Sequence, residues 1–184
     1  MCIVPAAKQS TEALRNQGDS MDLPQRKSNR IKHYDYSQYG AYFVTLCTQD
    51  RAYLFQMEAA VEHGTCNPAN SAPANSVIHK WIGETQKKFP GVSVDLYVIM
   101  PDHLHMLITL TLPNYLPDVM HFLKTMTTNE YIRAVKSGLA KPFSQKLWQR
   151  SYYDHVIRNQ QDYHDIWDYI QNNPAKWMLR HENP

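Results

Sequence analysis

Apolar positions change their period several times along the chain, and each change predicts an element. Residues 41–48 (AYFVTLCT) are dense in β-branched and aromatic side chains, which suit a pleated surface, and predict a central strand. Residues 60–75 contain Gly64, Pro68, Pro73 and three asparagines and read as a loop. From Ser76, the expected N-cap, Val77, Trp81, Ile82 and Thr85 recur at helical spacing as far as about Phe89, and Pro90-Gly91 is the stop. Residues 94–100 (VDLYVIM) and 103–110 (HLHMLITL) flank the tight turn Pro101-Asp102 and predict a hairpin. Pro113 and Pro117 mark the next loop. Val119, Phe122, Leu123, Met126, Tyr131 and Ile132 then place a long helix over residues 118–136. After a connection at 137–146, residues 146–157 read as a fourth strand. Tyr163, Ile166, Trp167 and Ile170 form one stripe of a last helix over residues 160–173, which Pro174 is expected to end. The order β, α, β, β, α, β, α begins as the split βαβ, or ferredoxin-like, pattern: an α+β fold with one antiparallel sheet, helices on one face and an added C-terminal helix.

Length and composition narrow the setting. The 184 residues suit one domain at 24–184 preceded by a poorly ordered tail at 1–23. A basic run follows that tail (Arg26, Lys27, Arg30, Lys32, His33), either a solvated lead-in or a DNA-contacting arm. The three cysteines, Cys2, Cys47 and Cys66, are far apart, and no CxxC pair supports a zinc ribbon or a disulfide framework. Neither a signal peptide nor an apolar run of membrane-spanning length is visible, so a soluble, cytoplasmic protein is expected, without a membrane partner. The net charge is only +2, yet residues 124–158 carry Lys124, Arg133, Lys136, Lys141, Lys146, Arg150 and Arg158 against just Glu130 and Asp154. Such clustering suits phosphate contacts, and Lys124, Arg150 and Arg158 are the candidates for DNA. Interleaved Trp148, Tyr152 and Tyr153 either stack on unpaired bases, a device worth about 1–3 kcal/mol per base, or belong in part to the core of the fourth strand.

Two short patterns carry possible chemistry. His103 and His105 lie two apart on a strand and therefore project from the same face, while Leu104, Met106, Ile108 and Leu110 take the other. Two neutral imidazoles side by side form a divalent-metal site, or else are simply polar residues on an open sheet face. On the last helix, Tyr169 and Asn173 are four apart and share a face. The helical pattern alone favours a core-edge tyrosine and a C-terminal cap. Alternatively the Asn173 amide oxygen, a hard ligand, serves Mg²⁺ or Mn²⁺ beside the histidines, with the Tyr169 phenol one turn away.

The stretch VIMPDHLHMLITL resembles the strand–turn–strand of HUH endonucleases. Residues 147–177 (LWQRSYYDHVIRNQQDYHDIWDYIQNNPAKW) resemble the C-terminal signature of REP-associated tyrosine transposases, and residues 42–55 (YFVTLCTQDRAYLF) resemble that family's opening strand and loop. The three blocks agree in order and spacing over residues 25–178. The resemblance implies that His103, His105 and Asn173 bind Mg²⁺ or Mn²⁺ and that Tyr169 is the nucleophile, with no departure at these four positions. It further implies a single-stranded DNA endonuclease and strand transferase that forms a 5′-phosphotyrosine at hairpin or REP-like elements, as a monomer or homodimer. A domesticated, non-cutting DNA-binding protein and a metal-dependent hydrolase of small phosphoesters are the competing readings.

Overall fold

The computed structural model describes residues 40–63, 71–111 and 114–182. The tail at 1–23, the basic run at 26–33, Cys66 and Pro113 lie outside them. Five strands and three helices follow one another: β1 (Gly40–Cys47), β2 (Val61–Glu62), α1 (Pro73–Lys88), β3 (Val92–Met100), β4 (His103–Leu110), α2 (Leu116–Lys136), β5 (Tyr153–Ile157) and α3 (Gln160–Glu182). The sheet order is β2-β3-β4-β1-β5, with every pair antiparallel. Without the two-residue edge strand β2, the order β3-β4-β1-β5 is that of the expected ferredoxin-like sheet. Among the described residues no helix is long and apolar enough to cross a membrane.

Both faces of the sheet are covered. Tyr42, Val44 and Leu46 of β1 and Leu104, Met106, Ile108 and Leu110 of β4 face the larger core, shared with Val77, Ile78 and Ile82 of α1 and Val119, Met120, Leu123 and Tyr131 of α2. Phe43 and Leu107 face the other way, into a smaller cluster closed by α3 through Ile170, with Ile166 and Trp167 at its edge. Burial on both sides explains why β3 reads as an almost unbroken apolar run. A register shift between Val94 and Leu96 makes Asp95 an extra residue and inverts the alternation along β3. Val92 and Val94 precede it toward the larger core, Tyr97 and Ile99 follow it on that same side, and Leu96, Val98 and Met100 face α3. The displaced carboxylate of Asp95 accepts hydrogen bonds from Ser93 (2.6 Å), Thr109 (2.5 Å) and Tyr163 of α3 (3.1 Å). Burial, with the Asp95 charge adding to it, pushes the Tyr163 phenol up to about 12, so this bond to α3 stays a phenol donating to a carboxylate.

The observed boundaries depart most from the expected ones at four places, while β3 and α2 each begin two residues early, at Val92 and Leu116. α1 begins at Pro73, whose fixed φ suits a first turn, and Ser76 donates back to the Ala72 carbonyl instead of capping. β2 lies within the predicted loop. β5 begins at Tyr153, not at 146, because Trp148 leaves the sheet surface for the core. Trp148 stacks on Phe55 (5.5 Å between centroids), donates Nε1–H to Thr127 Oγ1 (2.9 Å), and forms only an isolated bridge to Thr48. Lastly, Pro174 does not end α3, which runs on to Glu182. A proline within a helix removes one backbone hydrogen bond. Tertiary packing compensates here, since Trp177 packs against the smaller cluster and against Tyr53 (6.0 Å).

Candidate active site

β4 presents His103 and His105 on the face that α3 covers, and α3 brings Tyr169 and Asn173 to the same place. All four line one cleft of about 290 Å³, together with Thr45, Arg51, Tyr53, Asp102, Lys176, Trp177 and Arg180. The four residues singled out from the sequence are therefore assembled, from a strand and a helix far apart in the chain.

Each imidazole is oriented by a bond at Nδ1. His103 Nδ1–H donates to Asp102 Oδ1 at 2.5 Å, and His105 Nδ1 meets Thr45 Oγ1 at 2.8 Å. The two Nε2 atoms then face one another 3.1 Å apart. Two nitrogen ligands about 2.0–2.1 Å from one ion lie about 2.8–3.4 Å apart, depending on the angle at the ion, so this separation fits a shared metal. The bond to Asp102 leaves the His103 Nε2 lone pair pointing into the cleft. Thr45 is a hydroxyl, which accepts from Nδ1–H or donates to Nδ1, and it therefore supports His105 both as a ligand through Nε2 and with a proton there. Burial, then the neighbouring His103 and Arg51, push His105 down to about 3. Burial also lowers His103, against the opposing pull of Asp102. Both rings are neutral at neutral pH, the form a metal requires. Among the described residues no three His, Cys, Asp or Glu side chains gather as a metal cluster; Asn173 lines the same cleft as the histidine pair.

Tyr169 stands edge-on between His105 (5.4 Å between centroids) and Phe43 (5.7 Å), 39% exposed, with the Lys176 ammonium 5.8 Å from its ring centre. Its neighbour Ile170 is completely buried and fixes the rotation of the helix. Asn173 is half-buried one turn further on, within the helix rather than at its end.

Three sets of participants give little or no signal in the sequence. Asp102 reads as a turn residue, yet it holds His103 with one oxygen and Arg51 Nε with the other (2.9 Å). Arg51 sits at φ 56 in a short 3-10 turn, Gln49–Arg51, where non-glycine residues are strained by about 1–3 kcal/mol. Thr45 has no mark in the sequence beyond its place on a strand. Lys176, Trp177 and Arg180 lie past the proline at which the helix is expected to stop.

The candidate DNA-contacting residues are placed elsewhere. Lys124 and Arg150 line a groove of about 490 Å³ beside α2 that shares no lining residue with the histidine cleft. Lys124 is half-buried and donates to the Gln149 and Arg150 carbonyls (2.7 and 2.9 Å), so it holds that loop in place. Arg158 is exposed just after β5 and lines neither cavity.

Residues 38–173 match the family model described as "Transposase IS200 like". A Haemophilus influenzae protein described as uncharacterised is 32% identical over 167 residues, covering 83% of this chain and 89% of its own. Among solved structures, a REP-associated tyrosine transposase bound to a REP hairpin superposes with a TM-score of 0.53 at 20% identity, over 81% of this chain and 73% of the other, a likeness of fold. With three quarters of its length in the family match and the sheet, helices and assembled cleft to go with it, the chain belongs to the IS200-like transposase family.

Proposed function

We propose that the protein cleaves and rejoins single-stranded DNA through Tyr169, with His103, His105 and Asn173 holding Mg²⁺ or Mn²⁺. The observation that carries this reading is the meeting, in one cleft, of a pre-oriented histidine pair with a solvent-accessible tyrosine whose ring centre lies 5.4 Å from that of His105. A divalent ion held there supplies positive charge to the scissile phosphate and fixes its orientation. Asp102 and Thr45 keep the imidazoles aimed, and Arg51, a cation lining the same cleft, favours a phosphate over a neutral ligand. Tyr169 Oη forms a bond to phosphorus as the P–O3′ bond breaks. The products are a 5′-phosphotyrosine and a 3′-hydroxyl that takes up the proton the phenol loses, and the reverse step rejoins the strand. A REP hairpin on the structural relative favours hairpin-forming DNA as the substrate.

The test incubates the full chain with Mn²⁺ and labelled hairpin strands from the DNA flanking its gene. A covalent adduct is expected that survives denaturing electrophoresis, is absent with EDTA, and is lost in Tyr169→Phe while DNA binding remains. An adduct persisting in Tyr169→Phe places the nucleophile elsewhere. DNA binding without any adduct, unchanged by EDTA, identifies a non-cutting binder.

A further inference from the structure

Past Pro174, α3 turns a second set of side chains toward the cleft. Lys176 and Trp177 each lie one turn from Arg180, at i,i+4 and i,i+3, and all three line the cavity that holds His103, His105 and Tyr169. The facing wall comes from the segment after β1, where Arg51 and Tyr53 line the same cavity. The rings of Tyr53 and Trp177 meet edge to face at 6.0 Å, and Tyr53 is 50% exposed. The charge of this wall is one-sided. Arg51, Lys176 and Arg180 are cations, and the one carboxylate beside them, Asp102, is already held by His103 and Arg51. Lys176 and Arg180 enter no ion pair among the described residues.

Cations and aromatic rings placed together in a groove suit a polyanion with exposed flat faces. Single-stranded DNA has both; in a duplex the base faces are covered by stacking. We propose that this wall is a binding site for unpaired DNA, the few nucleotides adjoining the phosphate presented to Tyr169. Lys176 and Arg180 contact successive backbone phosphates, and a base stacks on the Tyr53–Trp177 pair. The site rests on the reading of Tyr169 as the nucleophile, because that reading supplies the strand. It also accounts for a helix that continues through a proline: the extra turns carry the strand-holding side chains, and Trp177 secures them to the body of the protein.

The experiment uses the full chain in a Tyr169→Phe background, so that binding is read without cutting. A short labelled oligothymidine without secondary structure is titrated by fluorescence anisotropy over a range of salt concentrations. Lys176→Ala/Arg180→Ala is expected to weaken binding about tenfold or more at low salt, and to flatten the slope of log K against log salt by about 1.4, two contacts at about 0.7 each. Lys87→Ala/Lys88→Ala removes the same charge from the far end of α1 and is expected to leave the slope unchanged. Trp177→Leu is expected to abolish tryptophan quenching by the oligonucleotide and to cost about tenfold in affinity. An unaltered slope in Lys176→Ala/Arg180→Ala overturns the proposal, as does an equal flattening in the control pair or an equal loss of affinity for duplex DNA. Should Trp177→Leu loosen the helix end, the slope change in the two exposed substitutions still decides the matter. If the chain with Tyr169 intact makes no adduct but the slope falls as expected, the strand site stands and the cutting reading fails. If it makes the adduct but the slope does not move, the strand site alone fails.

Discussion

A carboxylate beside two histidines proposed to hold a metal either ligates the ion or orients its ligands, and the bonds around Asp102 favour orientation. One oxygen accepts a hydrogen bond from His103 Nδ1–H and the other from Arg51 Nε–H, so each oxygen is engaged in orienting a neighbour. Thr45 does the same for His105 with a weaker group. Outer partners of this kind typically control metal affinity by about 10–100-fold. Asp102→Ala is accordingly expected to weaken Mn²⁺ binding by about 10–100-fold, and Thr45→Val by less, in calorimetric titrations at neutral pH. Asp102→Asn, which keeps one acceptor oxygen for the imidazole, should fall between wild type and Asp102→Ala. Equal Mn²⁺ affinity in wild type and Asp102→Ala would show that the rings hold their aim without the carboxylate. Arg51 depends on the same residue: its left-handed backbone is strained, and the ion pair to Asp102 is one of the contacts that keeps it there. Loss of Asp102 therefore frees a cation at the cleft as well as a histidine.

At the scale of elements, α3 matters most, because it carries the proposed nucleophile, Tyr169, on one face and its own anchor on the next residue. Ile170 is fully buried among Phe43, Leu96, Val98, Met100 and Leu107. Ile170→Ala removes that anchor and is expected to destabilise the fold by about 2–5 kcal/mol in urea unfolding, with a fall in adduct formation even where the protein remains folded. An Ile170→Ala protein of unchanged stability would mean that α3 is held by other contacts. A second contact between elements sets an acid limit. Burial raises the pKa of Glu58, but hydrogen bonding and charge from His79, with bonds from Asn75 and Ser71, outweigh it and hold the carboxyl below its usual range. A depressed carboxyl stabilises the fold above its unfolded pKa of about 4.3, and that stability is lost as pH falls through the lower folded value. Wild type should thus exceed Glu58→Gln in unfolding midpoint at neutral pH and converge with it in stronger acid. These elements are legible in the sequence to different degrees. The histidine strand is plain, because an uninterrupted apolar set at 104, 106, 108 and 110 fixes which way 103 and 105 point. Tyr169 and Asn173 are legible as a face but not as a function, since the same pattern serves a core-edge tyrosine. The end of α3 is hidden because the local effect of a proline yields to a distant contact, Trp177 on Tyr53, that no neighbouring residue announces. Residues 146–152 mislead for a related reason: Trp148 has strand-like chemistry but is drawn into the core by Phe55 and Thr127.

At the scale of the whole molecule, a net charge of +2 conceals two separate basic surfaces. One is the wall of the histidine cleft, with Arg51, Lys176 and Arg180. The other is the groove beside α2, with Lys124, Lys146 and Arg150, of which Lys124 is committed to backbone carbonyls and has its pKa lowered by burial and by Lys146. A DNA strand whose phosphates reach both surfaces gains from each independently, because the two share no lining residue and contacts without common partners add in free energy. A strand held only in the cleft is indifferent to the groove. Arg150→Ala and Arg180→Ala separate these cases. If hairpin DNA with an unpaired flank spans both surfaces, each substitution weakens binding and lowers the salt slope, and the double variant shows the sum of the two losses in log K. Oligothymidine, which offers a flank without a stem, should then respond to Arg180→Ala and not to Arg150→Ala. Were Arg150→Ala silent for both ligands, the α2 groove would be excluded from binding, and the positive field of residues 124–158 would serve long-range attraction of the strand rather than contact with it.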